Sequence, residues 1–230
     1  MANLVNDIDQ IHHTFADYPL QNGPFEHIEK HVSHHINMAI GLSLDNVHAE
    51  SNLCRSLIEK GRTIFTILLD ASSKVHTVVQ VECGDLQTQY RENEVNNAGP
   101  PLPRDVELNA FDRIQLLYTE SVARRTTVGD INEAAAAKSG EITQRRLNHE
   151  QQNGLPQIHE PMTVAMAQDV EAQSIAMLRN QRAARRLLCE MRGLHAQMEG
   201  ILQQVKAAYN EAVDICLNEL HLVNVPPAIP

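Results

Sequence analysis

Apolar residues recur at steps of three and four along the last third of the chain, and no proline interrupts them between Met162 and Val223. This spacing places them on one face of an α-helix. A helix of about sixty residues is about 90 Å long, which exceeds what a compact domain of this size can cover. The pattern therefore predicts a long C-terminal helix over 161–223 that packs against other helices. Its predicted partner interface consists of Leu187, Leu188, Met191, Leu194, Met198, Ile201, Leu202, Val205 and Tyr209.

The N-terminal residues 1–44 show two shorter amphipathic segments. Apolar side chains share one helical face over 3–17, and Gly23-Pro24 then breaks the helix. A second segment follows, and Asp45 after it is a candidate N-cap for a further helix. We therefore predict a helical hairpin over 1–44, with a separate helix after it.

Residues 45–95 allow two interpretations. One helical register runs through Leu53, Leu57, Ile64, Leu68, Ala71, Val75 and Val78. Against this, both ends of the range 63–81 are rich in β-branched residues and flank a short stretch of small and polar residues, which is typical of a β-hairpin. We favour one long helix because the register crosses the supposed turn, where no Gly, Pro or Asn occurs. The hairpin over 63–81 stays as the alternative.

Prolines mark a boundary in the centre of the chain. Residues 96–104 are rich in proline, which is excluded from helix interiors, so this stretch is predicted to be a linker. Residues 105–152 then predict two middle helices that separate near Gly129. The whole pattern predicts an all-α protein, an elongated helical bundle or coiled coil with a long C-terminal helix.

Composition favours narrow contacts between helices over a large enclosed pocket. Hydrophobic residues make up 43% of the chain, yet aromatic residues make up only 3% and tryptophan is absent. Cores and enzyme pockets usually rely on large rings, whereas Leu, Ile, Val, Met and Ala suit the contact between two helices. No Gly-x-Ser-x-Gly elbow, phosphate-binding loop or thiol-enzyme signature occurs. We therefore predict that the chain is not an enzyme and needs no cofactor.

Charge is uneven along the chain, whose net charge is −10. Residues 1–100 hold 6 Lys or Arg against 13 Asp or Glu, whereas residues 161–230 hold 6 against 7. An acidic first half disfavours binding to nucleic acid, which requires clustered positive charge. A basic row in the C-terminal helix suits ion pairs with an acidic helix of the same chain or of a partner. The row comprises Arg179, Arg182, Arg185, Arg186 and Arg192.

The four cysteines are widely spaced and form no Cys-x-x-Cys pair; they are Cys54, Cys83, Cys189 and Cys216. Each falls in an apolar helical stretch, so we expect buried free thiols. No apolar signal-peptide core precedes the helices, and the longest apolar run is too short to cross a bilayer. These features predict an intracellular protein, cytoplasmic or nuclear, without a membrane span.

Histidines are concentrated near the N-terminus. His27, His31, His34 and His35 share one face if this segment is helical, and such spacing offers two or three imidazoles to a zinc ion. A di-metal site in a helical bundle also needs carboxylates in a Glu-x-x-His frame, and the sequence contains none. We therefore expect solvated or partner-facing histidines, which titrate near neutral pH. A metal site stays as the alternative.

Together these patterns predict a non-enzymatic helical subunit of a larger protein assembly, such as a scaffold, a tether, or an adaptor of cytoskeletal or kinetochore-like type. Its expected partners are other helical protein subunits, in a homo-oligomer or a hetero-oligomer. The first alternative is a viral structural or capsid-associated protein that contacts a genome through its arginines. The second is a metalloprotein with a histidine site in a helical bundle.

Overall fold

The computed structural model describes residues 26–95, 104–151 and 164–230, with side chains mainly over 44–84, 109–151 and 175–230. The described residues form three helices, which are α1 (Glu26–Val95), α2 (Arg104–Gln151) and α3 (Val164–Asn218). No strand occurs among these residues. The predicted all-α bundle with a long C-terminal helix is therefore confirmed.

The structure differs from the sequence prediction at Asp45, where the sequence indicates the start of a new helix. α1 passes through this residue without interruption. Leu44 and Val47 are buried on either side of it, so one buried face continues. A capping residue does not end a helix when packing favours the helix on both sides. Residues 1–25 of the predicted hairpin and 96–103 of the predicted linker lie outside the described residues.

Two other predicted irregularities are absent from the described helices. α1 is helical throughout 63–81, so the alternative β-hairpin is not formed. α2 crosses Gly129 and does not divide into two middle helices. A glycine inside a helix costs about 1 kcal/mol, but Val128 and Ile131 beside it are buried in one cluster. Their burial outweighs that cost, because a buried aliphatic side chain contributes about 1.5–3 kcal/mol.

The described residues divide into two compact units, and each unit contains segments of all three helices. The first unit comprises the described residues within Met1–Arg55 and Ala136–Arg192. The second unit comprises those within Ser56–Ala135 and Gly193–Pro230. Each unit has its own apolar core, so each is stabilised by removing side chains of neighbouring helices from water.

The core of the first unit is one apolar cluster to which α1, α2 and α3 all contribute. It consists of Leu44, Val47, Ile142, Met177, Ala184, Leu188 and Met191. Ser51 is also fully buried, and its hydroxyl donates to Met191 Sδ at 3.2 Å. Polar Gln181 is buried in the same unit, and its Nε2 has no hydrogen-bond partner.

The core of the second unit consists of two clusters along the same three helix segments. The first contains, among others, Ile58 of α1, Ala135 of α2 and Met198 of α3. The second contains Val79 of α1, Phe111 of α2 and Cys216 of α3. Within this unit α1 and α3 therefore run in the same direction, and α2 runs in the opposite direction.

Buried positions in the second unit recur at alternating steps of three and four, and we call such a row the seam of its helix. An average step of about 3.5 residues keeps one face of each helix toward its neighbours. The seam of α1 in this unit consists of Ile58, Gly61, Phe65, Leu68, Ser72, Val75 and Val79. The seam of α3 consists of Met198, Val205, Tyr209, Ala212 and Cys216, with the partly buried Leu202 among them.

Gly61 is a point of close approach between α1 and α3. A Cβ atom placed on this residue would lie 2.6 Å from Cγ of Met198, closer than van der Waals contact allows. The missing side chain therefore provides the space that the buried Met198 fills. Ser72, another small residue, is also buried in this seam and donates its hydroxyl to the Leu68 carbonyl at 2.9 Å. Two small residues thus occur among the large ones of this seam and leave space for side chains of the neighbouring helix.

Candidate interaction surfaces

The structure places the predicted partner interface of α3 in the cores of the chain itself. Leu188 and Met191 are buried in the first unit. Met198, Val205 and Tyr209 are buried in the second unit. The other members, which are partly buried beside these cores, are Leu187, Leu194, Ile201 and Leu202. Contact of α3 with a partner subunit stays a prediction.

A second apolar row lies on α1 in the second unit, beside the seam and about 100° around the helix from it. Leu57, Ile64, Ile67 and Val81 are 37%, 47%, 61% and 78% exposed, respectively. They are separated by steps that combine three and four residues, so they share one face of the helix. We call this row the outer stripe. Single exposed apolar residues are ordinary, but a row of them on one helix face marks a candidate interaction surface.

Sequence periodicity did not separate the outer stripe from the seam. The predicted register of α1 combines Leu57 and Ile64, which are exposed, with Leu68 and Val75, which are buried. The seam also includes Gly61, which an apolar count passes over. Each row contains four Leu, Ile or Val residues, so their number does not tell which row is covered. Only the positions of the neighbouring helices distinguish the two rows.

Members of the arginine row of α3 form ion pairs within the first unit. Arg192 pairs with Glu50 of α1, and Arg186 pairs with Glu190 at 3.4 Å. Glu190 also accepts a hydrogen bond from Lys138 of α2, and this contact lowers the pKa of the Glu190 carboxyl. Acidic side chains of the same unit therefore balance these cations, one of them from the acidic N-terminal half of the chain.

The cysteines, all of them free, occupy different environments. Cys83 and Cys216 are buried and Cys54 is partly buried, but Cys189 is exposed, so the expectation of buried thiols is wrong for Cys189. Burial raises the pKa of the Cys216 thiol to about 11. Because the thiolate is the reactive form, Cys216 is unreactive near neutral pH. Cys189 is the accessible thiol among the described residues.

The histidine candidates lie beyond the side chains that the structure describes. His27, His31, His34 and His35 fall within α1, but only their helical backbone is defined. Elsewhere, among the described residues, no group of three or more His, Cys, Asp or Glu side chains has a geometry that would hold a metal ion.

After α3 the chain reverses its direction. Backbone amides within 219–222 donate to the carbonyls of Ile215 and Cys216 over 2.9 to 3.1 Å. His221 has a φ of 52°, in the left-handed region that residues with a side chain seldom adopt. Residues 223–230, which we call the C-terminal tail, then lie against α3. From the sequence, the prolines of the tail indicate only that the helix stops.

A single asparagine of α3 clamps the tail. Asn210 Nδ2 donates to the Ile229 carbonyl and Asn210 Oδ1 accepts from the Ile229 amide, both at 2.9 Å. The two bonds satisfy both backbone groups of Ile229, which has no partner in a helix or strand. The Ile229 side chain packs against both apolar clusters of the second unit. Backbone and side chain of this residue are thus held together.

Two neighbouring side chains of α3 extend the clamp. The Tyr209 hydroxyl donates to the Pro227 carbonyl at 3.0 Å, and the Lys206 ammonium donates to the Pro230 carbonyl. Burial raises the pKa of the Tyr209 hydroxyl, and the nearby Lys74 ammonium of α1 opposes this shift. We call the surface formed by Lys206, Tyr209 and Asn210, together with the apolar surface under Ile229, the tail groove.

Comparisons of the chain with family models, curated proteins and solved structures find no match. Among the described residues, no helix combines the length and the apolar character that a membrane span requires.

Proposed function

We propose that this chain is a non-enzymatic helical subunit of a larger protein assembly, and that it acts through coiled-coil packing with a helix of another subunit. The observation that carries this proposal is the outer stripe. Among the described residues, other helices cover the seam of α1, whereas a second apolar row on the same helix is exposed. Burial of such a row stabilises a complex by removing apolar surface from water.

The spacing of the outer stripe suits a helical partner. Leu57, Ile64 and Ile67 follow each other at steps of seven and three residues, and such steps align along a straight helix face. A partner helix with apolar residues at the same period can pack along this row, as helices do in a coiled coil. The proposal therefore specifies an amphipathic helix of another subunit.

The charges beside the outer stripe indicate the charge of the partner helix. Lys60 and Lys74 lie on the same face as the outer stripe, and Lys74 forms an exposed ion pair with Asp70 at 2.7 Å. A partner helix that carries acidic residues beside its apolar row would complement both lysines. Such flanking charges contribute to partner choice and association rate more than to affinity.

The test uses two double variants, and each substituted position in the second variant is one residue before the corresponding position in the first. Ile67→Asp with Val81→Asp places two charges on the outer stripe. Thr66→Asp with Gln80→Asp places the same two charges on exposed neighbours, about 100° around the helix. Both variants should retain the circular dichroism and thermal unfolding of the wild type, because all four positions are exposed.

The measurement is quantitative co-purification of each variant from the native host, followed by reconstitution with the purified partner. We expect the stripe variant to lose a helical partner that the wild type and the control variant both retain. An identical set of partners for all three proteins would contradict the proposal. Self-association of the purified wild type that only the stripe variant abolishes would show instead that a second copy occupies the stripe.

A further inference from the structure

The tail groove has the features of a peptide-binding site. It contacts the tail mainly through backbone groups, since Asn210, Tyr209 and Lys206 bind the carbonyls of Ile229, Pro227 and Pro230. Such contacts do not depend on the side chains of the bound segment. They suit an extended segment, whose backbone groups have no partners of their own.

The bound segment supplies aliphatic side chains at two positions, Val225 and Ile229. Ile229 packs against the apolar clusters of the second unit, whereas the neighbouring Ala228 and Pro230 are exposed. Prolines on either side restrict the backbone before binding, so the segment loses little conformational freedom when it is fixed. The groove is therefore complementary to an aliphatic residue in an extended stretch that contains proline.

No residue of the tail is as fully buried as the buried seam residues of α3. Pro227, Ala228 and Pro230 are exposed, and Val223 at the start of the tail is 89% exposed. The turn that returns the tail to α3 keeps His221 in a left-handed conformation, which disfavours the closed arrangement. Segments with few buried contacts open more often than packed helices do.

We propose that the tail groove is a binding site for an extended, proline-containing segment of a partner protein, and that the tail is its resident intramolecular ligand. A partner segment with an aliphatic residue beside proline displaces the tail and forms the same bonds with Asn210, Tyr209 and Lys206. This site is separate from the outer stripe, and its test does not depend on the stripe.

The experiment measures binding of a peptide to the full-length chain. Val225→Ser with Ile229→Ser removes the two partly buried aliphatic side chains of the tail and leaves the groove unchanged. The peptide is a fluorescent Asn-Val-Pro-Pro-Ala-Ile-Pro, the sequence of residues 224–230. Fluorescence anisotropy should show saturable binding of the peptide to this variant. Its affinity for the wild type should be lower by a factor of about ten or more, because the tethered tail competes at an effective concentration of about 1 mM.

Two controls locate the binding. Adding Asn210→Asp to the tail variant keeps the size and the acceptor of the clamp but removes its donor, so the affinity should fall about tenfold. A peptide in which serine replaces isoleucine should also bind about tenfold more weakly. Absence of saturable binding to the folded tail variant, or binding that neither control weakens, would overturn the proposal.

Hydrogen exchange of the wild type gives an independent measurement. The Ile229 amide should exchange about a hundredfold faster than the Val205 amide in the seam of α3, because the tail opens without unfolding of the helices. Equal protection of the two amides would show that the tail is a permanent part of the core, and would refute its displacement by a partner segment. Wild-type dimers that dissociate with Asn210→Asp would assign the groove to the tail of a second copy, which also refutes a partner protein.

Discussion

The seam and the outer stripe of α1 are two apolar rows on one helix that differ in solvent exposure. Phe65 and Leu68 in the seam are 3% and 4% exposed, whereas Ile64 and Ile67, their neighbours in the chain, are 47% and 61% exposed. Both rows contain large apolar side chains at helical spacing. Hydrophobicity alone therefore does not tell which face of a helix is covered. The covered face is the one whose small residues admit a neighbouring helix, as Gly61 admits Met198.

The largest expected effect compares truncation in the two rows. Phe65→Ala removes a buried ring from the core of the second unit and should lower the free energy of unfolding by about 3–5 kcal/mol. Ile67→Ala on the outer stripe should change it by less than about 0.5 kcal/mol. Urea unfolding followed by circular dichroism measures both. Similar losses for the two variants would mean that the outer stripe is covered within the chain.

A buried polar residue of α3 tests the packing of the first unit. Gln181 is 2% exposed and its Nε2 has no hydrogen-bond partner, so its burial is costly. Gln181→Met should raise the free energy of unfolding by about 1–3 kcal/mol. Gln173→Met, at an exposed position of the same unit, is the matched control and should have little effect. No gain from Gln181→Met would indicate that the side-chain amide is satisfied in solution.

Substitution of alanine for glycine should change the free energy of unfolding in opposite directions at Gly129 and Gly61. Gly129 has no neighbouring atom within 4 Å of an added Cβ, so Gly129→Ala should stabilise α2 by about 1 kcal/mol through its helix propensity. Gly61→Ala gains the same propensity but places its Cβ against Met198, and the overpacking should cost about 1–3 kcal/mol. Thermal unfolding should therefore shift upward for Gly129→Ala and not for Gly61→Ala. A rise in both would show that Met198 moves aside without cost.

The smallest expected effect concerns the surface ion pairs. Arg192 and Glu50 are 49% and 38% exposed, so water and salt screen their attraction. Arg192→Gln should lower the free energy of unfolding by less than about 1 kcal/mol, and added salt should reduce the difference further. A larger loss that persists at high salt would place Arg192 among the packing residues of the first unit.

Periodicity predicted most of the fold and little of the interaction surfaces. The helical class and the long α3 follow from apolar steps of three and four, because that spacing forms one face only in a helix. Helix breaks were less predictable. Asp45 is a local signal for the start of a helix and Gly129 is one for a helix end, but α1 and α2 continue across these residues. Local signals of about 1 kcal/mol yield to the burial of several side chains.

The candidate sites depended on tertiary packing even more. Tyr209 has the spacing of a helix contact in the sequence, yet in the structure its hydroxyl also holds Pro227 of the tail. Nothing in the spacing of Asn210 and Ile229 indicates that they meet. The outer stripe was likewise combined with the seam, since both rows contribute residues at similar steps.

Residue spacing is enough to predict that this protein is helical and which apolar residues of α3 share a face, because the helical repeat converts sequence spacing into position on a face. Contacts between distant parts of the chain explain why Leu68 is buried while Ile67 is exposed, and why the tail lies against Asn210. The difference arises from the distance along the sequence between the residues that interact. A helix face is set by residues three or four apart, whereas burial of that face depends on residues from distant parts of the chain and on the small side chains that let them approach.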